Sequence, residues 1–189
     1  MRQVQIEQHV LDEQARLRRV EAHLRAIEGK TTMQIQDIVI KWTDPIRVAE
    51  ATAVAPGYGY ENLGPVFAQV LPEVLEHLRD VGVRPGISVA YYEAPADDGS
   101  VVLHAGFDTS DQDVPENDRV RAVSLPVVEV ASVVHRGTMD GIAPAFEALI
   151  HWSEDSGFTW TDPTRELYHE WHDEDPSRHV TELQLPIAR

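Results

Sequence analysis

Cysteine is absent from the 189 residues of this chain, which excludes a disulfide framework, a thiol nucleophile and any zinc site built on thiolates. No apolar run reaches the ~18–20 residues that a helical membrane span requires, and the N-terminus lacks the apolar core of a secretory signal. A soluble cytoplasmic protein, with no membrane partner, is the expectation. Familiar catalytic signatures are missing too. There is no Ser/His/Asp order or nucleophile elbow, and GYGYENLG (57–64) has neither the spacing nor the Lys of a phosphate loop. Basic residues are the remaining scarcity: 16 Lys+Arg stand against 32 Asp+Glu, a formal charge of −16. Residues 1–28 hold five Arg and five acidic side chains, so the excess falls on residues 29–189, with 11 basic and 27 acidic. A field of that sign repels phosphate backbones and gathers cations. Nucleic acid is disfavoured as a partner of this chain alone; cationic molecules are favoured.

What is present begins with a helical pattern. Residues 2–28 contain no Pro or Gly, and Gly29 follows as a helix C-cap residue would. Leu17, Val20, Leu24 and Ile27 recur at the a/d spacing of a coiled coil, with Ile6 and Val10 on the same seam and Gln3 and Glu13 interrupting it. A dimerisation helix over 1–29 is expected, against the alternative of an amphipathic helix packed on its own domain.

After Gly29 come short β-rich runs. Strands are predicted near 33–41, 46–54, 86–93 and 101–108 around a helix near 62–81. A second set is predicted near 120–125, 128–135, 164–172 and 179–187 around a helix near 139–156. The halves look like copies. PIRVAEATA (45–53) matches PVVEVASVV (126–134), LRDVGV (78–83) matches SEDSGF (153–158), and VLHAGF (102–107) matches VTELQL (180–185). The predicted fold class is α+β: two pseudo-symmetric strand–helix–strand–strand units forming an antiparallel sheet with a central groove over 33–189, preceded by the coiled-coil-like helix. The alignment places His104 where Glu182 stands in the second half.

These runs, from Pro126 through HRG, AFEALIHWSEDSGF, DPTRELY and the acidic DEDP turn to VTELQLPI, resemble the GyrI-like (AraC effector-binding) small-molecule-binding domain. LRRVEAHLRAIEG resembles the dimerisation helix of MerR-type transcriptional regulators that carry such a domain. The resemblance implies a sensor with an aromatic-lined pocket for cationic or amphipathic aromatic ligands, acting through a homodimer. It carries the anionic anchor onto Glu182 inside TELQLPI, a pocket tyrosine onto Tyr168 in RELY, and a first-half aromatic onto Tyr91 or Tyr92. Met139 stands near the place where the family often has a tyrosine. Nothing in the chain corresponds to the DNA-binding winged helix of those regulators, which implies the sensor half of a longer regulator or a stand-alone binder. Some family members are hydrolases of strained electrophiles, and gyrase-inhibiting relatives act on a protein, so an enzyme and an inhibitor are the competing expectations.

Residue chemistry weighs these candidates. A mid-strand Glu182 is either the solvated face of a strand or a carboxylate over a groove, where it seeks a cation. Tyr91 and Tyr92 alternate, so only one faces the groove. Tyr168 and Trp171 differ in parity, so both line it only if a bulge intervenes. His169, His172 and His179 beside Asp173, Glu174 and Asp175 fit a solvated acidic turn better than a metal site, since their spacing aligns no two rings on a helix. No cofactor and no metal is expected. The predicted ligand-binding set is Glu182, Tyr168, Tyr92, Tyr91, His104, Trp171 and Met139.

Overall fold

Alternating apolar residues become ladder pairs in the computed structural model, which describes residues 37–161 and 163–189. The expected helix over 1–29, and the first residues of the strand predicted from 33, lie outside the described residues. In chain order the elements are β1 (Val39–Trp42), β2 (Ile46–Ala55), α1 (Tyr60–Asp80), β3 (Ser88–Tyr92), β4 (Val101–Asp108) and β5 (Arg121–Leu125). There follow β6 (Glu129–Arg136), α2 (Ile142–Asp155), β7 (Thr159–Trp160), β8 (Arg165–Glu170) and β9 (Val180–Ala188). Short 3-10 turns occupy Met139–Gly141 and Pro176–Arg178. The fold is α+β, with the strands in the order β1-β6-β9-β8-β3-β4-β2-β5 and β7 paired to β9, every pair antiparallel.

The repeated sequence reappears as repeated geometry. β2-β4-β3 and β6-β9-β8 meet at the β3–β8 pair. Gly82 and Gly157 both adopt positive φ, +73° and +77°, the left-handed conformation that costs a residue with a Cβ most. Each follows a helix whose last turn closes alike: Val83 N–H donates to the Leu78 carbonyl, and Phe158 N–H to Ser153.

Amphipathic helices cover one face of the sheet. α1 buries Val70, Val74 and Leu78 against Ala49, Ala51, Ala90, Leu103 and Ala105; small strand residues let the helix approach. α2 buries Ile142, Ala145 and Leu149. The first helix packs on β2 and β4, the second on β6 and β9, so the central strands β3 and β8 form a seam between their footprints. Side chains of opposed ladder residues share a face. Registry therefore assigns Tyr92, Glu166, Tyr168, Thr181 and Leu183 to the helix-covered face, and Tyr91, His104, Arg165, Leu167, Glu182 and Gln184 to the other.

On that helix-free face the connection between the halves crosses β8. Arg165, fully buried, donates Nη2 to the Pro126 carbonyl at 3.2 Å. Thr43 N–H meets the Val128 carbonyl, and Val128 N–H the Thr43 hydroxyl, clipping this connection to the β1–β2 turn. Among the described residues no helix is long and apolar enough to cross a membrane.

Candidate functional site

At the helix-side seam, β3 and β8 bring three polar side chains together inside an aromatic shell. The Tyr92 hydroxyl donates to Glu166 Oε1 at 3.1 Å and the Tyr168 hydroxyl to Oε2 at 2.5 Å. All three residues are deeply buried, at 3 %, 4 % and 8 % exposure for Tyr92, Glu166 and Tyr168. Glu166 has no basic partner among the described residues; its donors are the two phenols. Desolvation raises its pKa, and the two phenol bonds only partly offset it. Burial, and then the Glu166 carboxylate, push Tyr92 and Tyr168 well above the usual phenol range.

Aromatic rings close over this triad. Tyr58 meets Tyr92 edge-on at 5.7 Å, Phe67 from α1 meets Tyr168 at 6.0 Å, and Trp171 meets Tyr168 at 6.0 Å. Tyr58 and Trp171 are about half exposed, so the shell has a wet rim and a dry floor. Met139 packs into the same cluster as Tyr92 and Tyr168. The condition set by parity is met: the β8–β9 ladder slips between Tyr168 and Glu170, and Trp171 beyond it turns back onto Tyr168.

The predicted ligand-binding set divides between two faces. Tyr92, Tyr168, Trp171 and Met139 gather at the seam, whereas Glu182, His104 and Tyr91 lie on the helix-free face. A single groove lined by His104, Glu182 and these aromatics is thereby corrected, and the physical reason is strand parity. Tyr168 lies opposite Thr181, so its neighbour Glu182 points the other way.

Nor is Glu182 an uncompensated carboxylate. Lys41 Nζ lies 2.7 Å from Oε1, Ser132 and Gln184 donate to the same oxygen at 2.7 and 2.8 Å, and His169 Nε2 lies 3.1 Å from Oε2. Desolvation would raise its pKa, but these four bonds outweigh burial and hold it at about 2. The carboxylate sitting among aromatics is Glu166, which the sequence reading passed over. The signal was present, because Glu166 is two residues from Tyr168 on the same strand and so shares its face.

His104 and Glu182 do hold matching ladder positions: Tyr92 opposes Leu103, just before His104, as Tyr168 opposes Thr181, just before Glu182. His104 is bracketed by carboxylates, Nδ1 at 2.9 Å from Glu50 and Nε2 at 3.1 Å from Glu93, with Tyr91 stacked on it at 4.4 Å. The bond to Glu50 raises the His104 pKa; burial opposes it and Glu93 reinforces it. Of the histidines near the acidic turn, His169 goes to Glu182 and His172 to Glu170, while His179 stacks under Trp171 at 3.9 Å.

A family model described as the GyrI-like small molecule binding domain matches residues 37–188. No curated protein matches the chain. Among solved structures, EcmrR in a complex with DNA aligns over 100% of this chain and 70% of its own, with TM-score 0.68 and 18% identity. SAV2435 bound to tetraphenylphosphonium aligns over 80% of this chain and 93% of its own, at TM-score 0.52 and 12% identity. A protein described as a hydrolase from Listeria innocua aligns over 87% and 98%, at TM-score 0.54 and 12% identity. At these identities the three likenesses show a shared fold.

Proposed function

The chain belongs to the GyrI-like small-molecule-binding family, and on that premise we propose that it is the ligand-sensing part of a transcriptional regulator. It receives cationic or amphipathic aromatic molecules at the β3–β8 seam, with Glu166 as the anionic floor. The observation that carries this is a buried carboxylate held by two phenols, without a basic partner among the described residues. Such a group is costly to leave charged and dry, and an incoming cation relieves that cost while the surrounding rings supply stacking and cation–π attraction of ~0.5–2 kcal/mol. Tyr58 and Trp171, half exposed over the floor, are the side chains that move aside for entry. The surplus of 27 acidic over 11 basic residues in 29–189 favours the same ligand charge. Residues 33–189 form the sensor in this proposal, and residues 1–29 pair two copies. EcmrR is seen with DNA and SAV2435 with an aromatic phosphonium cation; both precedents fit a sensor of this kind, with its DNA contacts made elsewhere.

Titration of the full chain with a cationic aromatic dye and a neutral dye of similar shape tests the assignment. Glu166→Gln keeps the shape and removes the charge, and is expected to cost the cation about 1–3 kcal/mol of binding while the neutral dye loses little. Glu182→Gln is expected to leave both unchanged. Equal losses for both dyes in Glu166→Gln would end the anchor role, and a cation-selective loss in Glu182→Gln would return it to that residue.

A second function is favoured by the same carboxyl. Its raised pKa and its two phenol neighbours suit general acid–base work on a strained electrophile. Loss of turnover in Glu166→Gln with binding preserved is the outcome that would make the chain a hydrolase.

A further inference from the structure

On the face away from the helices, the β1–β2 turn, the turn after β4 and the middle of β9 enclose a hollow of about 690 Å3, within the ~300–1,000 Å3 of small-molecule sites. Two features of its wall point to a ligand. The first is Gln184, 3 % exposed, whose side-chain Oε1 has no hydrogen-bond partner. Its amide orientation is fixed: Nε2 donates to Glu182 at 2.8 Å, and the flipped amide would set oxygen against carboxylate. The free end is therefore an acceptor, and it asks for an N–H or O–H donor.

The second feature is the occupant of Glu182. Lys41, on an edge strand and with a side chain 43% exposed, seats its ammonium 2.7 Å from this carboxylate. That is a primary ammonium on an alkyl stem, bound where Gln184, Leu167 and Trp42 also line the hollow. The remaining charges suit the same chemistry. Asp44, Asp108 and Asp111 join Glu182 in the wall, against Lys41 and Arg47, and Arg47 has Asp113 at 3.8 Å. An anionic ligand would meet four carboxylates, and a quaternary cation has no N–H to offer Gln184.

We propose that this hollow binds primary alkylamines, the ammonium reaching Gln184 Oε1 and Glu182 and the stem lying along Trp42 and Leu167, with Lys41 as the tethered competitor that the ligand displaces. The site lies on the opposite face of the sheet from Glu166 and does not depend on it. It also selects differently: Glu166 already has both oxygens taken by phenols and needs only charge, whereas Gln184 needs a donor.

Calorimetric titration of the full chain at neutral pH with hexylamine, and with hexyltrimethylammonium as the donor-free counterpart, tests the proposal. Hexylamine is expected to bind at least about tenfold more tightly than the quaternary compound. Lys41→Met is expected to tighten hexylamine about tenfold by vacating Glu182, and a thermal melt of the same variant separates that gain from any loss of fold caused by stripping Glu182 of its cation. Glu182→Gln is expected to weaken binding about tenfold, and Glu166→Gln to leave it unchanged. The proposal is overturned if Lys41→Met leaves affinity unchanged or lowers it, or if Glu166→Gln abolishes binding, since the amine then sits at the seam. Absence of any binding also overturns it. Gln184 would then be satisfied by water shared with Arg165, its ladder partner, whose Nε and Nη1 are likewise unpartnered.

Discussion

His104 is held by two carboxylates at once, and its protonation links to stability with a definite sign. Its folded pKa lies above the ordinary 6.5, chiefly through the bond to Glu50 and further through Glu93, with burial opposing. Stability from this bracket is complete below about pH 6.5 and is lost as pH rises through the elevated folded value. Thermal melts of the parent and His104→Gln should differ most at about pH 5.5, and the gap should narrow as pH rises through the elevated folded value and the imidazole loses its charge. A gap that stays constant across that range would mean the ring acts by packing on Tyr91 alone. Single residues were unevenly legible in the sequence. Tyr168 and Tyr92 come together at the seam because aromatic side chains mark a strand's buried face, which alternation reveals, whereas Met139 reaches the same cluster from the 3-10 turn before α2, where no alternation applies. Glu182 was given the wrong surroundings because parity fixes which residues share a face and cannot say which face the helices cover. Its partner Lys41 lies 141 residues away on a strand paired to β6, a contact no local pattern contains.

At the scale of elements, β4 runs so close to β2 that one position admits no side chain. A Cβ on Gly106 would lie 1.9 Å from the Ala49 carbonyl oxygen and 2.7 Å from the Glu50 Cα, both backbone atoms with nowhere to retreat. Gly106→Ala should therefore pry apart the β2–β4 pair, where Glu50 and His104 also meet, and cost about 2–4 kcal/mol in denaturant unfolding. Gly64 in α1 is the opposite case: its nearest neighbours are Tyr60 ring atoms from 3.5 Å, an ordinary contact, so Gly64→Ala should stabilise by about 0.5–1 kcal/mol. Matching losses in the two variants would show that glycine flexibility, rather than strand proximity, is what Gly106 supplies. Long periodic elements were legible: α1 and α2 close at the predicted glycines, and the runs from β2 onward lie where alternation put them, whereas the strand predicted near 33–41 is strand only over Val39–Trp42, with residues 37 and 38 outside it. β7 was not, because two residues, Thr159 and Trp160, carry no period and exist as a strand only through Ile187 and Ala188. The strand predicted to start near 120 begins at Arg121, and β8 stops at Glu170 where the bulge ends regular pairing.

For the whole molecule the dominant physical quantity is a charge of −16, and it makes separable claims about rate and about residence. A field summed over many carboxylates acts at long range on approach, whereas Glu166, as the proposed anchor, would act only on a ligand already inside the shell. Raising salt from about 0.01 M to about 1 M shrinks the screening length from ~30 Å to ~3 Å. The association rate of a cationic aromatic dye should then fall by about tenfold or more, and that of its neutral counterpart should barely change. Glu166→Gln removes one charge from a buried floor, so it should leave the association rate and its salt dependence nearly intact and speed dissociation instead. The same field opposes duplex DNA, and a gel shift at physiological salt should show the chain alone leaving the duplex unbound. Stopped-flow traces in which salt alters only dissociation would mean that the acidic surface is solvated decoration and that the cation preference resides in the site alone. If DNA were instead bound tightly and released by salt, a basic surface would have to exist in spite of the net charge, and the division between a sensing body and a separate DNA-binding part would fail.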